Sequence, residues 1–116
     1  MPAPPPATPV AFYRSASGSE PVRDWLRELP VKDRQCIGRD LSLVQFAWPV
    51  GMPLCRPLGA GLWEVRSTLP SRRIARVLFF FHDGRIGVVH GFIKKTQKTS
   101  PDDIALARKR MKEMTS

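Results

Sequence analysis

Val88-Val89-His90-Gly91-Phe92-Ile93-Lys94-Lys95-Thr96-Gln97-Lys98 passes from an apolar run straight into three lysines within five positions. Its first half belongs to the run Ile86 to Val89, and a second such run, Val77 to Phe81, precedes it. Both are unbroken stretches of β-branched and aromatic residues, the pattern of strands covered on both faces. Asp83-Gly84 between them supplies positive φ at little cost and closes a short hairpin. Upstream, Leu62-Trp63-Glu64-Val65-Arg66 reads as a third strand, set off by Gly59 and Gly61 and ended near Leu69-Pro70. The three form a meander, the middle of a sheet.

Further out, Val10-Ala11-Phe12-Tyr13-Arg14 is a short strand in which Tyr13 is a packing residue, followed by the breaker run Ser15 to Ser19. Ser19 is expected to cap a helix with Glu20 and Pro21 in its first turn. Val22, Trp25, Leu26 and Leu29 then recur at i, i+3, i+4 and i+7, one apolar stripe. Pro30 ends this helix and begins a second, whose inner face is Ile37, Leu41, Val44 and Trp48. Lys32, Asp33, Arg34, Arg39 and Asp40 fall on its wet side. Pro49 to Gly61 reads as a connector into the sheet. Ser100-Pro101-Asp102-Asp103 has the cap, proline and acids of a helix start. Ile104, Ala107, Met111 and Met114 give that helix an inner side, with Arg108, Lys109, Arg110 and Lys112 outward.

The predicted class is α+β: a small, mainly antiparallel sheet with an N-terminal helical hairpin and a C-terminal helix. Residues 1–9, with five prolines and little apolar content, read as a disordered tail. Residues 10–116 read as a single domain.

The chain has 116 residues, 19 basic against 10 acidic, for a net charge of +9. From Arg66 to Lys98 it carries Arg66, Arg72, Arg73, Arg76, Arg85, Lys94, Lys95 and Lys98 against Asp83 alone. A basic protein without a special partner is one reading; the clustering on the sheet half favours an anionic partner, nucleic acid above all. Cys36 and Cys55 lack a Cys or His in metal-ligand spacing and read as reduced, structural thiols. No metal or other cofactor is expected. No stretch has transmembrane length and no secretory leader is legible, so the expected location is cytoplasmic, without a membrane partner.

Strand alternation places Leu62, Glu64 and Arg66 on one face, Arg76, Leu78 and Phe80 on one, and His90, Phe92 and Lys94 on one. If these faces coincide, Arg66, Arg76 and Lys94 converge; a one-residue slip in any strand would undo this. Such a cationic cluster suits in-line attack of a ribose 2′-hydroxyl on its neighbouring phosphate, where charge grows on the equatorial oxygens. Phe92 is either a core residue or a stacking surface for an unpaired base. His90 is either a satisfied core histidine or an acid/base, and His82 is turn surface. No Ser/His/Asp or Cys/His arrangement, carboxylate pair or phosphate-cradling glycine loop is legible.

Pro57-Leu58, Gly61-Leu62-Trp63-Glu64-Val65-Arg66, Arg76-Val77-Leu78-Phe79 and above all His90-Gly91-Phe92-Ile93-Lys94-Lys95-Thr96-Gln97-Lys98-Thr99 resemble the phage-derived HigB-like branch of the RelE toxin superfamily. The resemblance spans roughly Phe12 to Met111. It implies the toxin of a type II toxin–antitoxin pair, which enters the ribosomal A site and cleaves translated mRNA through the 2′-hydroxyl, leaving a cyclic phosphate, without a metal. It also implies a cognate helix-turn-helix antitoxin as partner, beside the ribosome and mRNA. Carried over by position, Arg66 and Arg76 match the sheet arginines of the site. Lys94, Lys95 and Lys98 match the lysines that grip RNA or rRNA, with Arg73 and Phe92 beside them.

One departure stands out: many relatives carry a Tyr or His near the C-terminus as acid or base, and nothing after Thr99 fits that role. A lysine of lowered pKa, His90 if exposed, or a largely electrostatic mechanism remain as alternatives. An inactive homologue, a non-catalytic RNA- or ribosome-binding protein of the same fold, and a protein whose basic face docks an acidic partner are the competing readings.

Overall fold

The computed structural model describes residues 7–116. In chain order the elements are β1 (Val10–Phe12), α1 (Pro21–Glu28), α2 (Val31–Ala47), β2 (Cys55–Gly59), β3 (Leu62–Thr68), β4 (Ile74–His82), β5 (Arg85–Ile93) and α3 (Pro101–Thr115). The strands make one sheet in the order β1-β5-β4-β3-β2. β2 to β5 run antiparallel and β1 lies parallel to β5, which is the α+β class that the sequence predicts. The predicted hairpin turn forms, with Asp83 at φ 51° and Gly84 at φ 71°.

Two apolar layers flank the sheet. Val22 of α1 and Ile37, Leu41 and Val44 of α2 pack with Val65, Val77, Phe79, Ile86 and Val88 on one face. Ile104, Ala107, Met111 and Met114 of α3 pack with Leu62, Leu78, Phe80 and Val89 on the other. α1 comes so close to β5 that a Cβ placed on Gly91 would lie 2.5 Å from the Trp25 ring. The glycine of the His90-Gly91-Phe92 motif is therefore a packing requirement of α1.

Several sequence-based expectations need correction. The stretch Pro49 to Gly61 is only partly a connector, since Cys55–Gly59 forms β2. It pairs with β3 at the sheet edge, where Pro57 is tolerated. Ser19 does not cap α1: Glu20 occupies the cap position without a side-chain bond, and the Ser19 hydroxyl pairs with Ser15 Oγ at 2.7 Å. Asp33 is buried, not wet, because the turn before β4 reaches it: Ser71 N–H donates to Oδ1 and Arg73 Nη2 to Oδ2, both at 3.3 Å. Arg108 and Arg110 are half-buried ties rather than solvated charges. Arg108 Nη2 donates to the Leu58 and Gly59 carbonyls at 3.1 and 3.2 Å, and Arg110 Nη1 to the Val89 carbonyl at 2.9 Å.

Of the expected tail, residues 1–6 lie outside the described residues. Thr8 N–H donates to the Gln45 carbonyl at 3.2 Å, Gln45 Nε2 to the Thr8 carbonyl at 2.9 Å, and Ile86 N–H to the Pro9 carbonyl at 2.8 Å.

Candidate functional site

Arg66 on β3 lies directly opposite Arg76 on β4, and Arg76 lies opposite Phe92 on β5. That second pairing depends on a bulge. Phe79 faces Val88 but Leu78 faces His90, so Val89 is an extra residue on β5. The insertion reverses the side-chain alternation of everything after it. Without it, Gly91 would oppose Arg76, and His90 and Phe92 would turn towards α1 and α2. With it, His90 and Phe92 join Arg66 and Arg76 on the α3 side. Beyond β5 the ladder gains one more rung, Lys94 N–H donating to the Ile74 carbonyl at 2.7 Å, which puts Lys94 on the same face as Arg66 and Arg76, one same-face position along the strand from Phe92.

Arg76 is not an open cation. It is 1% exposed, its Nη2 donates to the Gln97 carbonyl at 2.6 Å and its Nη1 to Thr99 Oγ1 at 2.9 Å. Its Nε stands 3.9 Å from Oε1 of the equally buried Glu64. Thr99 in turn donates its hydroxyl to Glu64 Oε2. The segment between β5 and α3 thus folds back over the sheet arginine, whose buried charge Glu64 balances.

The remaining cations differ in setting. Arg66 and Lys94 are half-exposed. Burial, and after it the charges of Arg66 and Arg76, lower the Lys94 ammonium pKa below the usual lysine value, with Glu64 acting the other way. Lys95 and Lys98 are exposed on the segment covering Arg76. Arg73 is turned to α2 through its pair with Asp33, and its Nε donates to Ser71 Oγ at 3.2 Å.

His90 is half-buried, with Nε2 2.7 Å from Asp103 Oδ1 at the start of α3. Its ring centroid lies 5.1 Å from that of Phe92. Ser100 donates its hydroxyl to Asp103 Oδ2 at 2.8 Å and accepts from Asp103 N–H at 3.1 Å. Burial alone would raise the Asp103 pKa; the bonds from His90 and Ser100, with the charges of His90 and Lys95, outweigh it and hold this carboxyl below the usual range. Phe92 is packed against the α3-side core yet half-exposed. Among the described residues, no three His, Cys, Asp or Glu side chains are placed to share a metal ion. Nor, among them, is any helix long and apolar enough to cross a membrane.

A buried arginine held beneath a Gly-Phe-Ile-Lys-Lys-Thr-Gln-Lys-Thr return, with a second arginine across the ladder, ties the motif residues of the sequence into one place. A family model described as phage-derived protein Gp49-like matches residues 24–112. The chain belongs to that family. It is a toxin-like family of the RelE and HigB kind. No curated protein matches the chain.

The match to the Gp49-like family covers every residue of this site. Two residues of the site are absent from the sequence-based set. Glu64 escapes a charge count that starts at Arg66, although its spacing from Arg66 puts both on one face. Asp103 is legible only as a first-turn acid of α3, because its contact with His90 spans 13 residues. In the Gp49-like chain Glu64 faces Arg76 and accepts from Thr99, and Asp103 pairs with His90.

Proposed function

We propose that this chain is the toxin of a type II toxin–antitoxin pair, of the HigB-like branch, and that it cleaves translated mRNA on the ribosome without a metal. The observation that carries this reading is the Arg66–Arg76 pair with Lys94 beside it on the same face of the sheet. In the reaction the ribose O2′ bonds to phosphorus as the P–O5′ bond breaks, which gives a 2′,3′-cyclic phosphate and a 5′-hydroxyl end. Negative charge grows on the non-bridging oxygens, and preorganised cations stabilise it where it develops. Arg66 and Lys94 are half-exposed and reach that phosphate directly; Arg76 contributes from below or after the 94–99 segment lifts. Lys95 and Lys98 hold the flanking backbone, and Phe92 offers a stacking face. Arg73, paired to Asp33, sits at the margin of this surface.

The O2′ proton needs an acceptor and O5′ a donor. Lys94, with its lowered pKa, fits one of these roles. His90 offers its second ring nitrogen for the other, its Nε2 being engaged by Asp103. The net charge of +9 suits the ribosome and mRNA as partners, and a helix-turn-helix antitoxin as the restraining one.

Induced expression with primer-extension mapping of a translated mRNA, wild type against Arg66→Ala, tests the reading. Cuts that require translation and vanish in the variant support it; no cuts from soluble, folded wild-type protein sink it. The second reading is an RNA- or ribosome-binding protein that does not cleave. It is favoured by one observation, the capture of both terminal nitrogens of Arg76 by Gln97 and Thr99. It predicts steeply salt-dependent RNA binding with intact RNA throughout.

A further inference from the structure

A groove of about 300 Å³ opens beside these cations, lined by Phe92, Ile93, Lys95, Thr96, Ser100 and Asp103. It brings together one aromatic and one aliphatic side chain, one ammonium, two hydroxyls and one carboxylate. Phe92 forms one wall while standing opposite Arg76 across the strand pair. A planar ring lying on Phe92 would therefore have its own phosphate within reach of the Arg66 and Lys94 side. The His90 ring, close behind Phe92 and fixed by Asp103, keeps the aromatic wall from turning away.

The carboxylate decides what the groove takes. Asp103 keeps 31% of its side chain exposed, and each oxygen has one hydrogen-bond partner, Oδ1 with His90 and Oδ2 with Ser100. An ionised carboxylate offers about four acceptor sites, so each oxygen retains a free lone pair. Guanine alone among the RNA bases presents two adjacent N–H donors, N1–H and the N2 amino group, on its Watson–Crick edge. Uracil presents one donor between two carbonyl oxygens, which the carboxylate repels.

We infer that this groove is a nucleobase subsite for guanine, stacked on Phe92 and recognised by Asp103. The subsite rests on the reading of the basic face as an RNA site and names the base that site prefers. Lys95 at its rim takes the phosphate charge without regard to sequence, and Thr96 and Ser100 face the ribose or base edge.

The test is titration of the full chain with guanosine, inosine and uridine 5′-monophosphates, followed by backbone amide NMR. The three ligands share ribose and phosphate, so a difference among them reports the base. The expected result is amide shifts at Phe92, Ile93, Thr96 and Asp103, with guanosine monophosphate binding roughly tenfold tighter than uridine monophosphate and inosine monophosphate, lacking the amino group, between them. Asp103→Asn should level the three while the shifts at Lys95 remain. Equal binding of all three nucleotides, shifts confined to the lysines, or a guanosine preference that survives Asp103→Asn would each overturn the assignment. The wild-type comparison decides even if Asp103→Asn fails to fold. Because the titration involves no cleavage, its failure beside intact translation-dependent cutting removes the base subsite alone. Discrimination without any cutting leaves the subsite standing and removes the nuclease.

Discussion

Glu64 Oε1 and Arg76 Nε face each other across 3.9 Å, too far for a hydrogen bond, and neither atom has another partner among the described residues. Both side chains are 1% exposed. A buried pair of this kind need not add stability over an apolar pair, but removing one member strands the other.

Glu64→Leu and Arg76→Met should therefore each lose about 3–5 kcal/mol of unfolding free energy. The double variant should lose clearly less than the sum of the two. Urea unfolding of all four proteins measures this, and strict additivity would show that the two charges do not sense one another.

Gly91→Ala puts a methyl group 2.5 Å from the Trp25 ring, so the ring or the α1–β5 spacing must shift. A loss of about 1–3 kcal/mol is expected from overpacking. Shrinking the obstacle, as in Gly91→Ala with Trp25→Leu, should cost less than the two single changes added together. Thermal unfolding midpoints of the three variants give the answer.

Arg66→Ala removes a half-exposed cation for which no side-chain bond is found among the described residues. Its unfolding midpoint should stay near that of the wild type, while cleavage falls roughly 10²–10³-fold, the cost of one charge-stabilising donor. A matched drop in stability and activity would make Arg66 a structural residue instead.

Asp103 and Asp33 both titrate below their ordinary value of 3.8 in the folded protein. The native state then binds fewer protons than the unfolded chain, so the stability they contribute is full above that value and disappears as pH falls through the lower folded values. Unfolding free energy should decline on acidification below about pH 5. Asp103→Asn should flatten its share of that decline, which pH-dependent urea unfolding resolves.

Much of the fold was legible along the chain. The unbroken apolar runs Val77 to Phe81 and Ile86 to Val89, the turn at Asp83-Gly84 and the Ser100 cap are local signals that the fold keeps, whereas the Ser19 cap signal fails because that hydroxyl pairs with Ser15. Ser100 Oγ does accept the Asp103 N–H. The strand Cys55–Gly59 was hidden because Pro57 and flanking prolines and glycines read as loop, and only its partner β3 gives it a ladder. Asp33 was hidden for a related reason: its helical position is a wet one, and it is covered by a turn some 38 residues away.

The candidates are written along the chain: the arginines and lysines around His90-Gly91-Phe92, their excess over acid, and the strand periodicity that carries them. Which of them meet depends on the folded backbone. The extra residue Val89 sets the face of His90, Phe92 and Lys94, and no periodicity announces a bulge, since its cause is the register of a neighbouring strand. The enclosure of Arg76 by Gln97, Thr99 and Glu64 likewise joins residues more than 20 positions apart on one side and 12 on the other. Composition states how much charge a chain carries; the path of the backbone settles how much of it water can reach.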